Sequence, residues 1–205
     1  VDSKQYTGTY TYIPNESTIT SLPVFSAASN ISGYTLNYSA GTSLPSPQYD
    51  GGVTTYTLDS NTKYYLPSGM PKPIYNGTLK FDKTSNGDVT MTVAGNYISS
   101  NSGNGTSFNL TGTGNFVLNI LGDMTAQSFT INAAKASSVT INVLGNLTTS
   151  GSGLTINGPS AGDFNLNVKK NLYVYNKLQI NGITSGDVNI TVDGDLNYPN
   201  DNFKI

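Results

Sequence analysis

The chain contains no cysteine, no histidine and no tryptophan, and its ten basic residues are all lysine, so arginine is missing as well. Without cysteine there is no disulfide and no thiolate metal site, and without histidine there is no imidazole to act as base or ligand. Neither arginine nor histidine is at hand to help stabilise or orient a sugar acid. The reading is therefore non-enzymatic, with no catalytic residues, no metal and no cofactor. Charge is also scarce: 11% of residues are charged and the net charge is -2, which is no footprint for nucleic acid. No apolar run reaches the roughly 18 residues a membrane span needs. The sequence opens at Val1 without a hydrophobic leader, as expected of a mature form trimmed from a precursor.

What is present is a phrase that returns. Strict alternation of apolar residues, the mark of a half-buried strand, occurs at Val89/Met91/Val93, Phe116/Leu118/Ile120, Val139/Ile141/Val143, Phe164/Leu166/Val168 and Val188/Ile190/Val192. The copies start 27, 23, 25 and 24 residues apart. Four of them continue into Gly followed by Asn or Asp (Gly95-Asn96, Gly122-Asp123, Gly145-Asn146, Gly194-Asp195), and the fourth in order has Lys170-Asn171 instead. An apolar residue comes next each time: Tyr97, Met124, Leu147, Leu172 and Leu196. Gly tolerates positive φ and Asn or Asp bonds to nearby backbone, so the pair reads as turn chemistry. A shorter strand precedes each long one: Leu79/Phe81, Phe108/Leu110, Phe129/Ile131, Leu154/Ile156 and Leu178/Ile180.

A repeat of this size cannot bury its apolar face alone, and stacking the copies into a solenoid gives inward columns of like residues. A meander of hairpins in a sandwich is the alternative, since the spacing also suits strand, tight turn, strand. Residues before about 75 lack the phrase. They read as short Tyr- and Thr-rich strands in "GTYTYI", "GYTLNYS", "GVTTYTL" and "TKYYL", with Pro67, Pro71 and Pro73 marking the junction. The expected fold class is all-β: an N-terminal, sandwich-like β region over 14–75, followed by a β-solenoid or a repeat-built β-sandwich over 76–205. Most of the 14 tyrosines precede the repeats and are expected as half-buried strand residues rather than a sugar-binding platform.

Candidate chemistry is thin. Asp187, Asp193 and Asp195 are possible oxygen ligands for Ca²⁺, but a site needs six to eight converging oxygens, and solvated turn aspartates are the default. Carboxylate-pair chemistry on polysaccharides needs two groups at fixed separation, whereas the aspartates here fall mostly on turns. Asn-X-Ser/Thr occurs at Asn15, Asn30, Asn37, Asn76, Asn104, Asn109, Asn146 and Asn189. With 25 Asn and 49 Ser plus Thr, chance alone places about six, so N-glycosylation is expected from an extracellular setting rather than from the count. Few titrating groups and a single Glu, Glu16, predict tolerance of acid.

The N-terminal segment "KQYTGTYTYI" alternates, with Tyr6, Gly8, Tyr10 and Tyr12 on one face and Thr7, Thr9 and Thr11 on the other. Together with a cysteine-free, lysine-only, Tyr/Thr/Asn/Ser-rich β composition and many sequons, it resembles crenarchaeal surface filament subunits of the thread type. The resemblance implies a glycosylated extracellular subunit that joins head to tail by donating its N-terminal strand, residues 1–13, to a neighbour. Its partners would be identical subunits, N-linked glycans, and surfaces or other cells. Donor-strand residues would be Lys4, Tyr6, Gly8, Tyr10 and Tyr12. If an isopeptide bond reinforces the joint, Lys4, the first lysine in the chain, is its candidate donor. A monomeric glycosylated adhesin or S-layer-associated protein is the alternative, and a carbohydrate-active β-helix enzyme a more distant one.

Overall fold

A computed structural model describes residues 4–12, 41–72, 77–99, 105–198 and 203–204, with side chains described only between 41 and 198. These residues form no helix. They wind into a β-solenoid of about 5 turns, each completed turn having three sides.

The first side stacks β3 (Val53–Thr57), β5 (Thr78–Lys83), β8 (Thr106–Leu110), the later halves of β10 (Met124–Asn132) and β12 (Leu147–Asn157), β15 (Leu178–Asn181) and β17 (Phe203–Lys204). The second side stacks β4 (Thr62–Leu66), β6 (Val89–Val93), β9 (Asn115–Ile120), β11 (Ser138–Val143), β13 (Asp163–Val168) and the first half of β16 (Val188–Tyr198). The third side stacks β7 (Tyr97–Ile98), the first halves of β10 and β12, β14 (Leu172–Val174) and the end of β16. All these pairings are parallel. Among the described residues, only β2 (Gln48–Asp50) on β3 and β1 (Lys4–Tyr12) on β16 are antiparallel.

Parallel pairing decides between the two expected architectures, because a hairpin sandwich would pair sequence neighbours antiparallel. The column read from the sequence is in register throughout: Val89 faces Phe116, which faces Val139, then Phe164, then Val188. The apolar residue after each Gly-Asn or Gly-Asp step opens the third side, so that Tyr97, Met124, Leu147, Leu172 and Leu196 form a further inward column. Phe81 and Phe108 stack at 4.6 Å, and Phe116 and Phe129 pack against Phe108 at 5.1 and 5.6 Å. Each fully buried side chain of this kind contributes about 1.5–3 kcal/mol.

The domain boundary expected near residue 75 is not a break in the fold. β3 and β4 lie in parallel register on β5 and β6, so residues 53–66 are the first turn of the solenoid rather than part of a sandwich. The prolines fall where that turn would lay down its third side. Pro67 and Pro71 have no N–H for a ladder, and the chain makes a turn there instead, with Gly69 N–H donating to the Leu66 carbonyl at 3.1 Å. Residues 14–40 and 73–75 of the expected N-terminal domain lie outside the described residues.

The Gly-Asn step works differently from the local turn it resembles. Only Gly95 of the four glycines has a positive φ, at 77°. At Gly122, Gly145 and Gly194 a Cβ would instead collide with the side-chain oxygen of Asn96, Asp123 and Asn171 from the preceding turn. Those oxygens accept backbone N–H groups one turn along: Asp123 N–H to Asn96 Oδ1 at 2.9 Å, Asn146 N–H to Asp123 Oδ1 at 2.7 Å, and Asp195 N–H to Asn171 Oδ1 at 2.8 Å. The pair stitches turn to turn.

Two columns of amides do the same on the flat sides. On the first side Asn109 donates to Asp82 Oδ1 at 2.8 Å, Asn132 to Asn109 at 2.8 Å, Asn157 to Asn132 at 2.7 Å and Asn181 to Asn157 at 3.0 Å. On the second, Asn119 donates to Thr92 Oγ1 at 3.1 Å, and Asn142 and Asn167 each donate to the preceding Asn at 2.8 Å. Apart from the Asp82 carboxylate at the head of the first column these cross-links join neutral groups, and among the described residues there are two ion pairs, Lys80–Asp82 and Lys169–Asp193.

Buried phenols make the alkaline side the vulnerable one. Burial raises the pKa of Tyr56, Tyr64 and Tyr97 above the ordinary 10.0, with the nearby Tyr49 adding to the rise at Tyr56 and the Thr106 hydroxyl opposing it at Tyr97. A raised folded-state pKa gives stability that is complete below the unfolded value and is lost as pH climbs towards the folded one. Lys83 has the opposite sign, since burial lowers its pKa from 10.5 against a smaller rise from Asp88. Its stabilising response to pH is therefore complete by about pH 10.5. The β circular dichroism signal is expected to hold at pH 9 and to fail first above about pH 10.5. A protein equally stable to denaturant at pH 9 and pH 12 would contradict this.

Candidate functional site

The feature that sets the last turn apart is the strand laid across it. In β16 the inward residues Val188, Ile190, Val192 and Leu196 form the floor of the core and are all buried. The edge of that strand carries unpaired N–H and C=O groups unless something pairs with it, and an open edge over an apolar floor is an invitation to aggregate. β1 fills it. Tyr12 lies opposite Val188, Tyr10 opposite Ile190, Gly8 opposite Val192 and Tyr6 opposite Leu196, while Thr9 and Thr11 lie opposite Thr191 and Asn189. The expected Tyr/Gly face of the N-terminal segment is therefore in register with the inward column of the last turn.

The register slips once, between Tyr6 and Gly8, where Asp193, Gly194 and Asp195 of β16 pass the single residue Thr7. This bulge is the corner from the second to the third side, and β1 follows β16 around it. Lys169 Nζ meets Asp193 Oδ2 at 2.5 Å beside the corner, and the other Asp193 oxygen is buried without a hydrogen-bond partner among the described residues. Lys4, the candidate isopeptide donor, is aligned with Tyr198 at the far end of the pairing.

The three aspartates weighed as calcium ligands do not converge. Asp187 N–H donates to Asp163 Oδ1 at 3.0 Å at one corner and Asp195 N–H to Asn171 Oδ1 at the next, with a strand between them, while Asp193 pairs with Lys169. No group of three Asp or Glu residues that could hold a metal occurs among the described residues.

Of the eight sequons, Asn15, Asn30, Asn37, Asn76 and Asn104 lie outside the described residues. The other three are built into the stitching. Asn109 Nδ2 donates to Asp82, Asn146 Nδ2 to Asp123 at 3.2 Å, and Asn189 Nδ2 to Asn165 at 3.1 Å. A glycan would take the second N–H of each of these amides and crowd a half-buried side chain stacked between turns. Peptide mass spectrometry of the folded protein is expected to find Asn109, Asn146 and Asn189 unmodified, and a glycan at full occupancy on one of them would contradict the geometry.

Lys83 and Thr106 are among the core residues that the sequence reading misses. Lys83 takes the third inward position of β5, opposite Leu110, 2% exposed, with Nζ donating to the Thr113 carbonyl at 2.7 Å. Thr106 takes the first inward position of β8, opposite Leu79 and Phe129, its hydroxyl paired with that of Tyr97. Comparison of the chain with protein-family models, with curated proteins and with solved structures returns no match.

Proposed function

We propose that this chain is a structural subunit of an extracellular surface filament, assembled head to tail by seating the N-terminal strand of one subunit on the last turn of the next. The observation that carries the reading is the register of β1 on β16, in which an alternating strand from the far end of the sequence pairs along the edge of the terminal turn. Solenoids need such caps, and this one is joined to the first turn only through the long segment from Ile13 to Ala40. That segment can reach roughly 90 Å at about 3.3 Å per residue, several times the ~24 Å of the five ~4.8 Å steps from β4 to β16. The same strand can then close its own solenoid or a neighbour's with identical contacts. Closure on a neighbour is a heterologous contact, which propagates rather than ending in a dimer. Pairing an extended strand to an open edge takes its affinity from main-chain hydrogen bonds and its specificity from alternate side chains.

Deleting residues 1–13 is expected to give unpolymerised subunits that bind a synthetic peptide of residues 4–13. Filaments that form without the segment would sink the reading. A self-capped monomer would be the adhesin alternative, and it would show one mass at every concentration.

A further inference from the structure

We propose that the first side of the solenoid is a binding face for an extended, neutral polysaccharide lying along the solenoid axis, about one sugar per turn. Over three successive turns this side presents Ser107, Thr130 and Thr155 in one outward row and Asn109, Asn132 and Asn157 in the next, all half-buried and in register. The rows are about 6.7 Å apart along the strands and the turns ~4.8 Å apart across them. The array is flat and short-chained, and it carries no charge. The nearest charged pair, Lys80 and Asp82 one turn away, neutralise each other at 2.9 Å.

Each amide of the Asn row spends one N–H and its oxygen on its neighbours. One N–H per residue is left for a ligand. The bonds within the row fix the side chains before any ligand arrives, so little rotamer entropy is lost on contact. Neutrality argues against nucleic acid and acidic polymers, which need cationic footprints. The lack of exposed apolar side chains in the array argues against a hydrophobic peptide. A neutral glycan offers alternating donors and acceptors, and an extended hexose chain repeats close to the spacing of the turns. Several weak contacts repeated along one axis add up through effective concentration. The face is present in a lone chain and in a polymer alike, so the inference stands apart from the assembly reading.

The test uses the full chain on suspended cellulose, chitin and mannan, with polygalacturonate as the anionic control. Wild type is expected to be retained by at least one neutral polymer. Thr130→Lys with Thr155→Lys is expected to lower that retention by about tenfold or more, through lost hydrogen bonds and desolvated charge. Thr90→Lys with Thr140→Lys, on the second side, should leave it unchanged. Thr130→Val with Thr155→Val, which keeps the β-branched shape and removes the hydroxyls, should weaken retention even if the lysine variant folds poorly. No retention on any neutral polymer, equal loss from both sides, or retention only on polygalacturonate would overturn the proposal, as would inhibition of ice growth without glycan binding.

Discussion

Phe108→Ala is expected to cost about 3–5 kcal/mol of folding stability, the upper range for deleting a core aromatic. Phe108 is fully buried at the centre of a cluster, stacked on Phe81 at 4.6 Å and touched by Phe116 and Phe129 from the next strands. In many cores the surroundings collapse into the space a deleted ring leaves. Here the walls are successive turns fixed at ~4.8 Å by parallel hydrogen bonds, so collapse means breaking the ladder and the cavity stays open. Denaturant titration followed by circular dichroism checks this against Val117→Ala, an outward residue of β9 expected to cost below about 1 kcal/mol. Equal losses for the two variants would show that the inward columns do not hold the fold.

Asn142→Ala is expected to cost about 2–4 kcal/mol, more than most hydrogen-bond deletions, because two partners are stranded at once. Asn142 donates to Asn119 Oδ1 and accepts from Asn167 Nδ2, both at 2.8 Å, and Asn119 and Asn142 are only 4% and 3% exposed. Water reaches Asn167 more readily than Asn119, which is why the estimate is not the full penalty for two buried groups. Asn181→Ala, at the end of the other amide column, also removes two bonds, to Asn157 and from Gln179, but all three side chains are half-buried and open to water, so it is expected to cost about 1 kcal/mol. An Asn142→Ala protein as stable as wild type would mean that the columns decorate the solenoid without joining its turns. Because amides do not titrate, the same columns give a physical basis for the acid tolerance expected from composition.

The inward columns were legible in the sequence because alternation and a near-constant repeat leave few ways to stack, and the five long strands do pair at the phase they were read in. Strand direction was not legible. Short and long strands that start ten residues apart, as Leu79 and Val89 or Phe129 and Val139 do, carry the same apolar pattern whether the chain doubles back or winds on, and only the pairing partners tell them apart. Residues 53–66 were assigned to a separate domain because Tyr and Thr replace the Val/Ile phrase there, yet Tyr56 and Tyr64 occupy the same inward positions as later Phe and Met residues. For a related reason Phe108 stands eight residues before Phe116, the first apolar residue of its long strand, where Leu79, Phe129, Leu154 and Leu178 each stand ten before theirs. The residue in phase is Thr106, polar by type and satisfied inside the core by Tyr97. Lys83 was hidden in the same way. The covering strand was recognisable by its alternation, but its seat on β16 was not, since nothing in "KQYTGTYTYI" states which edge it completes.

The absence of native cysteine makes the most direct test of strand donation a clean one. Thr9 and Thr191 face each other across β1 and β16, and directly opposed residues in an antiparallel pair have Cα atoms about 4.5–5.5 Å apart, within the range a disulfide spans. A chain carrying both Thr9→Cys and Thr191→Cys, assembled under reducing conditions and then oxidised, should run on a denaturing gel without reductant as a ladder of covalent multimers. That ladder should collapse to one band on reduction. If the oxidised material from the same assemblies runs only as a disulfide-closed monomer, each strand has stayed on its own subunit and head-to-tail donation is wrong.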